Sequence, residues 1–203
     1  ATKKLNNEFH SVIVIALIYL IYSYLFRGYY IIITGLFVSL WLIIRLNKKS
    51  IYWIIVPAVF LYLMVPDAVL SDVASLRDRV NSWRVYSGSD AIRTIFFNLY
   101  AEPNHIEFIA NYIYSIIRLN LSFFISPGIR ELWLTITAWA YIFLSFRALF
   151  SKASKHQKIL GALVAAHILT LQLFEPDLGS YMRHVTSIFV LALPLIDIRR
   201  PRI

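Results

Sequence analysis

The densest chemistry in this chain lies in Glu175-Pro-Asp-Leu-Gly-Ser-Tyr-Met-Arg-His184, set between the apolar stretches Ile159 to Phe174 and Val185 to Ile196. Glu175, Asp177 and His184 are the residue types that take up or release a proton in catalysis. Arg183 carries the planar fork that grips phosphate, and Tyr181 adds a hydroxyl. The competing structural reading is a Pro176/Gly179 turn whose Arg183 and His184 anchor the next helix at a membrane interface. A second group of residues favours chemistry. Between Pro66 and Glu131 lie six arginines, seven carboxylates and no lysine. Val73, Leu76, Val80 and Trp83 recur at steps of three and four, the spacing of one helix face, which puts Arg77 and Arg84 on a common side two turns apart. Ser87-Gly-Ser-Asp90 breaks that helix and caps another, in which Arg93 accompanies a stripe of Ile92, Phe96 and Leu99 that ends at Pro103.

The elements that must position these groups are apolar helices. Of 203 residues, 59% are hydrophobic and 15% charged, against about a quarter charged in a soluble domain. The apolar residues arrive in long blocks, which predicts an all-α integral membrane protein of about six transmembrane helices with external amphipathic or interfacial helices. The expected spans are 11–26, 29–46, 51–65, 132–150, 158–174 and 185–198. Three regions follow: 1–65 with three spans, an external segment 66–131, and 132–203 with three more spans and the external loop 175–184. Ile106 to Ile125 is long enough to cross, yet Asn111, Arg118, Asn120 and Ser122 make it polar for a lipid-facing helix, so an interfacial or re-entrant course is expected.

The lysines set the orientation. Arg147, Lys152, Lys155 and Lys158 mark a short basic loop, and such loops stay cytoplasmic. With both termini cytoplasmic, all seven lysines fall inside, and the 66–131 and 175–184 segments fall together on the opposite side. The net charge of +9 is then a topology signal, and nucleic acid is not expected as a partner. Excess arginine on the external side works against the orientation rule; arginine is a standard way to hold a diphosphate, and the alternative for each is an interfacial snorkel or an ion pair with Asp72, Asp78 or Asp90. Absence of cysteine excludes thiolate chemistry and disulfides. The scattered histidines have no zinc spacing, and neither metal nor cofactor is expected. His167 falls within a span, where a neutral imidazole bonded to a neighbouring helix is the plain reading. Trp41, Trp53 and Trp133 read as interface belts.

Arg84-Val-Tyr-Ser87-Gly-Ser-Asp90-Ala, Phe174-Glu-Pro-Asp-Leu-Gly-Ser-Tyr-Met-Arg-His184 and the Leu193-Pro194-Leu195 ending together resemble bacterial surface-polysaccharide polymerases of the O-antigen type. More broadly, the chain resembles membrane glycosyltransferases that use polyprenyl-linked sugars. That resemblance implies residence in a bacterial inner membrane, and membrane lipid and a polyprenyl-linked glycan as partners. It implies transfer of a glycosyl group from a polyprenyl diphosphate at the outer leaflet. Arg183, Arg84, Arg77 and Arg93, with Tyr181, would hold the diphosphate, and Asp177, Glu175 or His184 would serve as the base. A carboxylate suits that base role, with His184 donating to a phosphate oxygen. The alternative from another class is a non-catalytic subunit that docks a second membrane protein through its Arg/Asp helices. A transporter is disfavoured, because no pair of broken helices recurs at matching positions in two halves.

Overall fold

The computed structural model describes residues 2–45, 52–88, 94–151 and 153–197. They form ten helices: α1 (Thr2–Leu25), α2 (Tyr30–Arg45), α3 (Tyr52–Leu63), α4 (Asp67–Tyr86), α5 (His105–Asn120), α6 (Ser122–Ile125), α7 (Ile129–Phe150), α8 (Lys155–Phe174), α9 (Leu178–Ser187) and α10 (Phe189–Ile196). Among the described residues, extended pairing is limited to one antiparallel bridge between Ile95 and Asp177. The all-helical expectation therefore holds.

Among the described residues three helices are long and apolar enough to cross a membrane: α1 over Glu8–Leu25, α7 and α8. The number rises to five if two bent pairs each count as one span, α3 with α4 at 89° and α9 with α10 at 66°. Helix α2 is apolar but has 16 residues. The expected final span over 185–198 is not a single helix. It breaks between Ser187 and Phe189, and the eight-residue α10 rises only about 12 Å, well short of a hydrocarbon core of about 30 Å. The expected external loop 175–184 is likewise mostly helix, since α9 begins at Leu178.

The chain divides into two compact units, one of Ala1–Ile54, Tyr141–Thr170 and Ile188–Ile203, the other of Ile55–Ala140 and Leu171–Ser187. In the first, Ile33, Phe37 and Trp41 recur every fourth residue on α2 and pack with Val12, Ile159, Ala162, Leu163 and Ala166. Trp41 is thus a core residue rather than part of an interface belt, with Arg45 over its ring at 5.1 Å. Trp133 is 63% exposed, while the Trp53 side chain lies outside the described set. A small-residue contact draws α7 and α8 together here. A Cβ added to Gly161 would stand 2.7 Å from that of Ala148. His167 accepts or donates a 2.8 Å bond with the Tyr19 hydroxyl and is buried, the plain reading of that residue. Glu8 pairs with Arg45 at 3.4 Å and with Lys155.

The second unit turns its polarity inward. On α5 the buried residues are Asn111, Ser115, Leu119 and Asn120, whereas Ile106, Ile109, Ile113 and Ile117 are exposed. The polar residues that made this segment unsuitable for facing lipid thus line an internal seam, and the isoleucines form the outer face. A capping box starts the helix, with Asn104 accepting from Ile106 and Glu107 and Glu107 accepting from the Asn104 amide. Helix α4 ends where Gly88 adopts φ 66°, a conformation that glycine reaches without a Cβ clash.

The expected helix before Pro103 does not form over its described part. From Thr94 to Asn104 the chain is irregular apart from a short turn and the Ile95 bridge. Side chains of the flanking helices take its backbone groups. Asp78 accepts from the Asn98 amide at 2.9 Å. Asn111 accepts from the amides of Leu99 and Tyr100, at 2.9 and 3.1 Å, and donates to the Tyr100 carbonyl at 2.8 Å. Backbone groups satisfied in this way have no need of a helical ladder. Arg93 and Asp90 lie outside the described residues.

Candidate functional site

Arg77 and Arg84, on the same side of α4, reach the turn that follows α8. Arg77 is 2% exposed, and its five N–H groups are all engaged. Nε donates to the Glu175 carbonyl at 3.0 Å, and Nη2 donates to the carbonyls of Gln172 and Leu173 at 2.8 Å each. Nη1 donates to Asn98 Oδ1 at 2.8 Å and to Ser115 Oγ. The Ser115 hydroxyl in turn donates to the Asn111 carbonyl at 2.8 Å. The Phe96 ring lies 4.6 Å from the guanidinium carbon.

A helix ends with unpaired carbonyls and a partial negative charge, and a cation there satisfies both. Arg77 therefore caps α8. Burial lowers its pKa to about 10, with Asp78 and Glu175 opposing that shift, so the guanidinium keeps its charge at neutral pH. No N–H is left for a diphosphate. Asn81, one turn further along α4, donates to the carbonyls of Phe96 at 2.7 Å and Pro176 at 3.1 Å. It holds the other side of the same turn.

Arg84 Nη1 pairs with Asp177 Oδ2. The second oxygen of Asp177 accepts from the Ser180 amide at 2.9 Å, the contact of an N-cap residue opening α9. Asp177 is 3% exposed and committed through both oxygens. Tyr181 is fully buried, with its hydroxyl 3.4 Å from Asn120 Oδ1. Asn120 also donates to the Ile116 carbonyl at 2.8 Å, so the formal Asn120-Leu-Ser122 sequon is a packing residue.

Two candidates remain open to the outside. Glu175 Oε1 lies 2.5 Å from His184 Nδ1, and the carboxyl side chain is 6% exposed while the imidazole is 32% exposed. The pair has the form of a buried orienting carboxylate and an accessible proton carrier. Arg183, the residue before His184 on α9, is exposed.

The fold thus brings Arg77, Arg84, Glu175, Asp177, Tyr181 and His184 into one polar assembly, with Arg183 on its outer side. Asn81, Asn98 and Ser115 belong to it and were not singled out from sequence. A signal existed for Ser115, in its recurrence with Asn111 and Arg118 at helical spacing; Asn81 and Asn98 gave none. Among the described residues no group of three or more His, Asp or Glu side chains is placed to hold a metal. No known protein family, curated protein or solved structure matches the chain.

Proposed function

We propose that this chain is a multi-pass protein of the bacterial inner membrane that transfers a glycosyl group from a polyprenyl-diphosphate-linked sugar to a lipid-linked acceptor. Membrane residence is supported by the outward isoleucine face of α5 over its buried Asn/Ser seam, the reverse of the arrangement that water favours. The orientation with both termini cytoplasmic is supported by the lysines. Helix α8 has 20 residues, a rise of about 30 Å that matches the hydrocarbon core.

The observation that carries the catalytic part is the Glu175–His184 pair with Arg183 beside it. His184, oriented by Glu175, takes the proton of the acceptor hydroxyl as that oxygen bonds to the anomeric carbon. The bond from that carbon to the diphosphate oxygen breaks, and the polyprenyl diphosphate leaves with its negative charge held by Arg183, with Arg84 on the same polar assembly. Arg77, Asp177 and Tyr181 are positioning residues. The chemistry itself follows the resemblance to surface-polysaccharide polymerases.

A second reading has its own support. Arg77 and Asp177 are fully engaged within the protein, as expected of a scaffold whose outer face binds another membrane protein without catalysis. The experiment that separates the two compares His184→Ala, Glu175→Gln and Arg183→Ala for turnover of polyprenyl-diphosphate-linked oligosaccharide in isolated membranes. Loss of about a hundredfold or more in His184→Ala at normal expression is expected from removal of a general base. Unchanged turnover in all three overturns the catalytic reading and favours the docking one.

A further inference from the structure

Where α3 gives way to α4 the chain turns by 89°, and Pro66 at the corner is extended, with φ −62° and ψ 143°. One residue from later in the chain closes on this corner. His105, the first residue of α5, sets Nε2 3.1 Å from the Tyr62 carbonyl at the end of α3, and Nδ1 3.2 Å from Oδ1 of Asp67, the first residue of α4. Tyr62 donates its hydroxyl to the His105 carbonyl at 2.7 Å, and the two rings meet edge to face with centroids 5.1 Å apart. Three helices are thus joined at one imidazole, and Tyr62, Asp67 and His105 all belong to the second unit.

Both oxygens that face the ring are acceptors. A carbonyl has no proton to give, and neither has an ionised carboxylate. A neutral imidazole carries one N–H, so it completes one of the two bonds and turns a lone pair toward the other oxygen. The imidazolium carries two and completes both. Its charge also suits the surroundings. The last carbonyls of α3 present partial negative charge, and Asp67 adds a full one. Glu107, two residues along α5, is turned to the Asn104 amide, and Glu102, in the irregular segment ahead of α5, is exposed. The start of α5 opposes a cation, but that partial charge is set against a carboxylate 3.2 Å from the ring. The remaining titratable group at the corner, the Tyr62 hydroxyl, is committed to the His105 carbonyl. With 25% of the His105 side chain and 64% of the Asp67 side chain exposed, water delivers and removes the proton.

We infer that His105 is an acid-engaged lock on the α3–α4 corner: protonated, it ties the starts of α4 and α5 to the end of α3, and neutral, it releases one of these ties. The two helices it joins to α3 are those that carry Arg77, Arg84, Asn111 and Ser115 into the polar assembly. The protonated form makes one more bond than the neutral form. The corner is therefore held at about pH 5.5 and loosened at about pH 8, across the range in which imidazoles titrate. The lock does not depend on the glycosyl-transfer reading, and its test needs no turnover.

The test is hydrogen exchange of the full chain in nanodiscs, corrected for the intrinsic pH dependence of exchange. It is read at the amides that close the corner: Val65, which bonds to the Tyr62 carbonyl, Val69 and Leu70, which bond to that of Pro66, and Phe108, which bonds to that of Asn104. Protection there should fall about fivefold or more between about pH 5.5 and about pH 8, the loss of one hydrogen bond. His105→Asn should abolish the fall; the other four of the five histidines are common to both proteins, so the difference belongs to His105. Tyr62→Phe keeps the carbonyl and loses the hydroxyl, and should lower protection at both pH values while preserving their ratio. Asp67→Asn, at an exposed position, should shrink the fall and serves in place of His105→Asn if that variant does not fold. A change of less than about twofold in the parent, or a fall that persists undiminished in His105→Asn or Asp67→Asn, overturns the inference.

Discussion

Replacing Arg77 by Ala tests how the polar assembly is held together. The substitution removes five donors at once and strands the carbonyls of Gln172, Leu173 and Glu175 together with Asn98 Oδ1. Hydrogen bonds from a charged donor are worth about 1.5–3 kcal/mol each, but their sum overstates the loss because the buried cation's desolvation penalty disappears with them. Breaking one side of a buried charged network costs about 3–5 kcal/mol. A loss near 4 kcal/mol shifts the folding equilibrium by about a thousandfold. For a chain of this size it lowers the melting temperature by roughly 8–16 °C. Arg77→Met should be nearly as damaging, since it refills the volume and leaves the acceptors unpaired. Arg77→Lys should recover part of the loss, having three donors and no fork. Thermal unfolding of the purified protein in detergent, with hydrogen exchange at the last turn of α8, reads both effects. Exposed Arg183→Ala is the control and should stay within about 1 °C of the parent. An Arg77→Ala protein that melts within about 2 °C of the parent and keeps the α8 terminus protected refutes the capping argument.

Asp177→Ala should lose about 2–3 kcal/mol through its N-cap bond and the stranded Arg84, whereas Asp177→Asn keeps the cap and loses about half of that; chemical denaturation distinguishes them. Gly161→Ala should cost about 1–3 kcal/mol by forcing α7 and α8 apart at Ala148, again read by denaturation, and a neutral result would disprove the close contact. Asn81→Leu, which strands the carbonyls of Phe96 and Pro176, should raise hydrogen exchange in 94–104 and at Pro176–Leu178 before it changes α7. Because the chain has no cysteine, Ser154→Cys and Glu102→Cys can be labelled singly in intact cells. The proposed orientation expects an impermeant maleimide to modify position 102 and spare 154, and the opposite pattern would reverse it.

Much of the assembly was legible because it depends on periodicity. The seven-residue spacing of Arg77 and Arg84 placed both on one face of α4, and both meet the turn at 175–177. The inward course of Asn111 and Ser115 follows from the same helical period. What the arginines bind was not legible, because the partners of Arg77 include three main-chain carbonyls and every residue has one. Asp177 looked like a base for the same reason, since an N-cap and a proton acceptor have the same side chain and differ only in which amide stands behind them. The irregular 94–104 segment carried a helical stripe, yet its backbone is claimed by Asp78, Asn81 and Asn111 from outside the segment.

The main-chain acceptors that Arg77 occupies lie 95 to 98 residues further along the chain. At synthesis rates of about 5–20 residues per second, that guanidinium waits roughly 5–20 s for its partners to be made. During that interval Arg77 has only the side chains of Asn98 and Ser115 to bond, so part of its guanidinium must stay hydrated. Closure of this polar assembly is therefore a late step in biogenesis, one that a chain truncated before Gln172 could never complete.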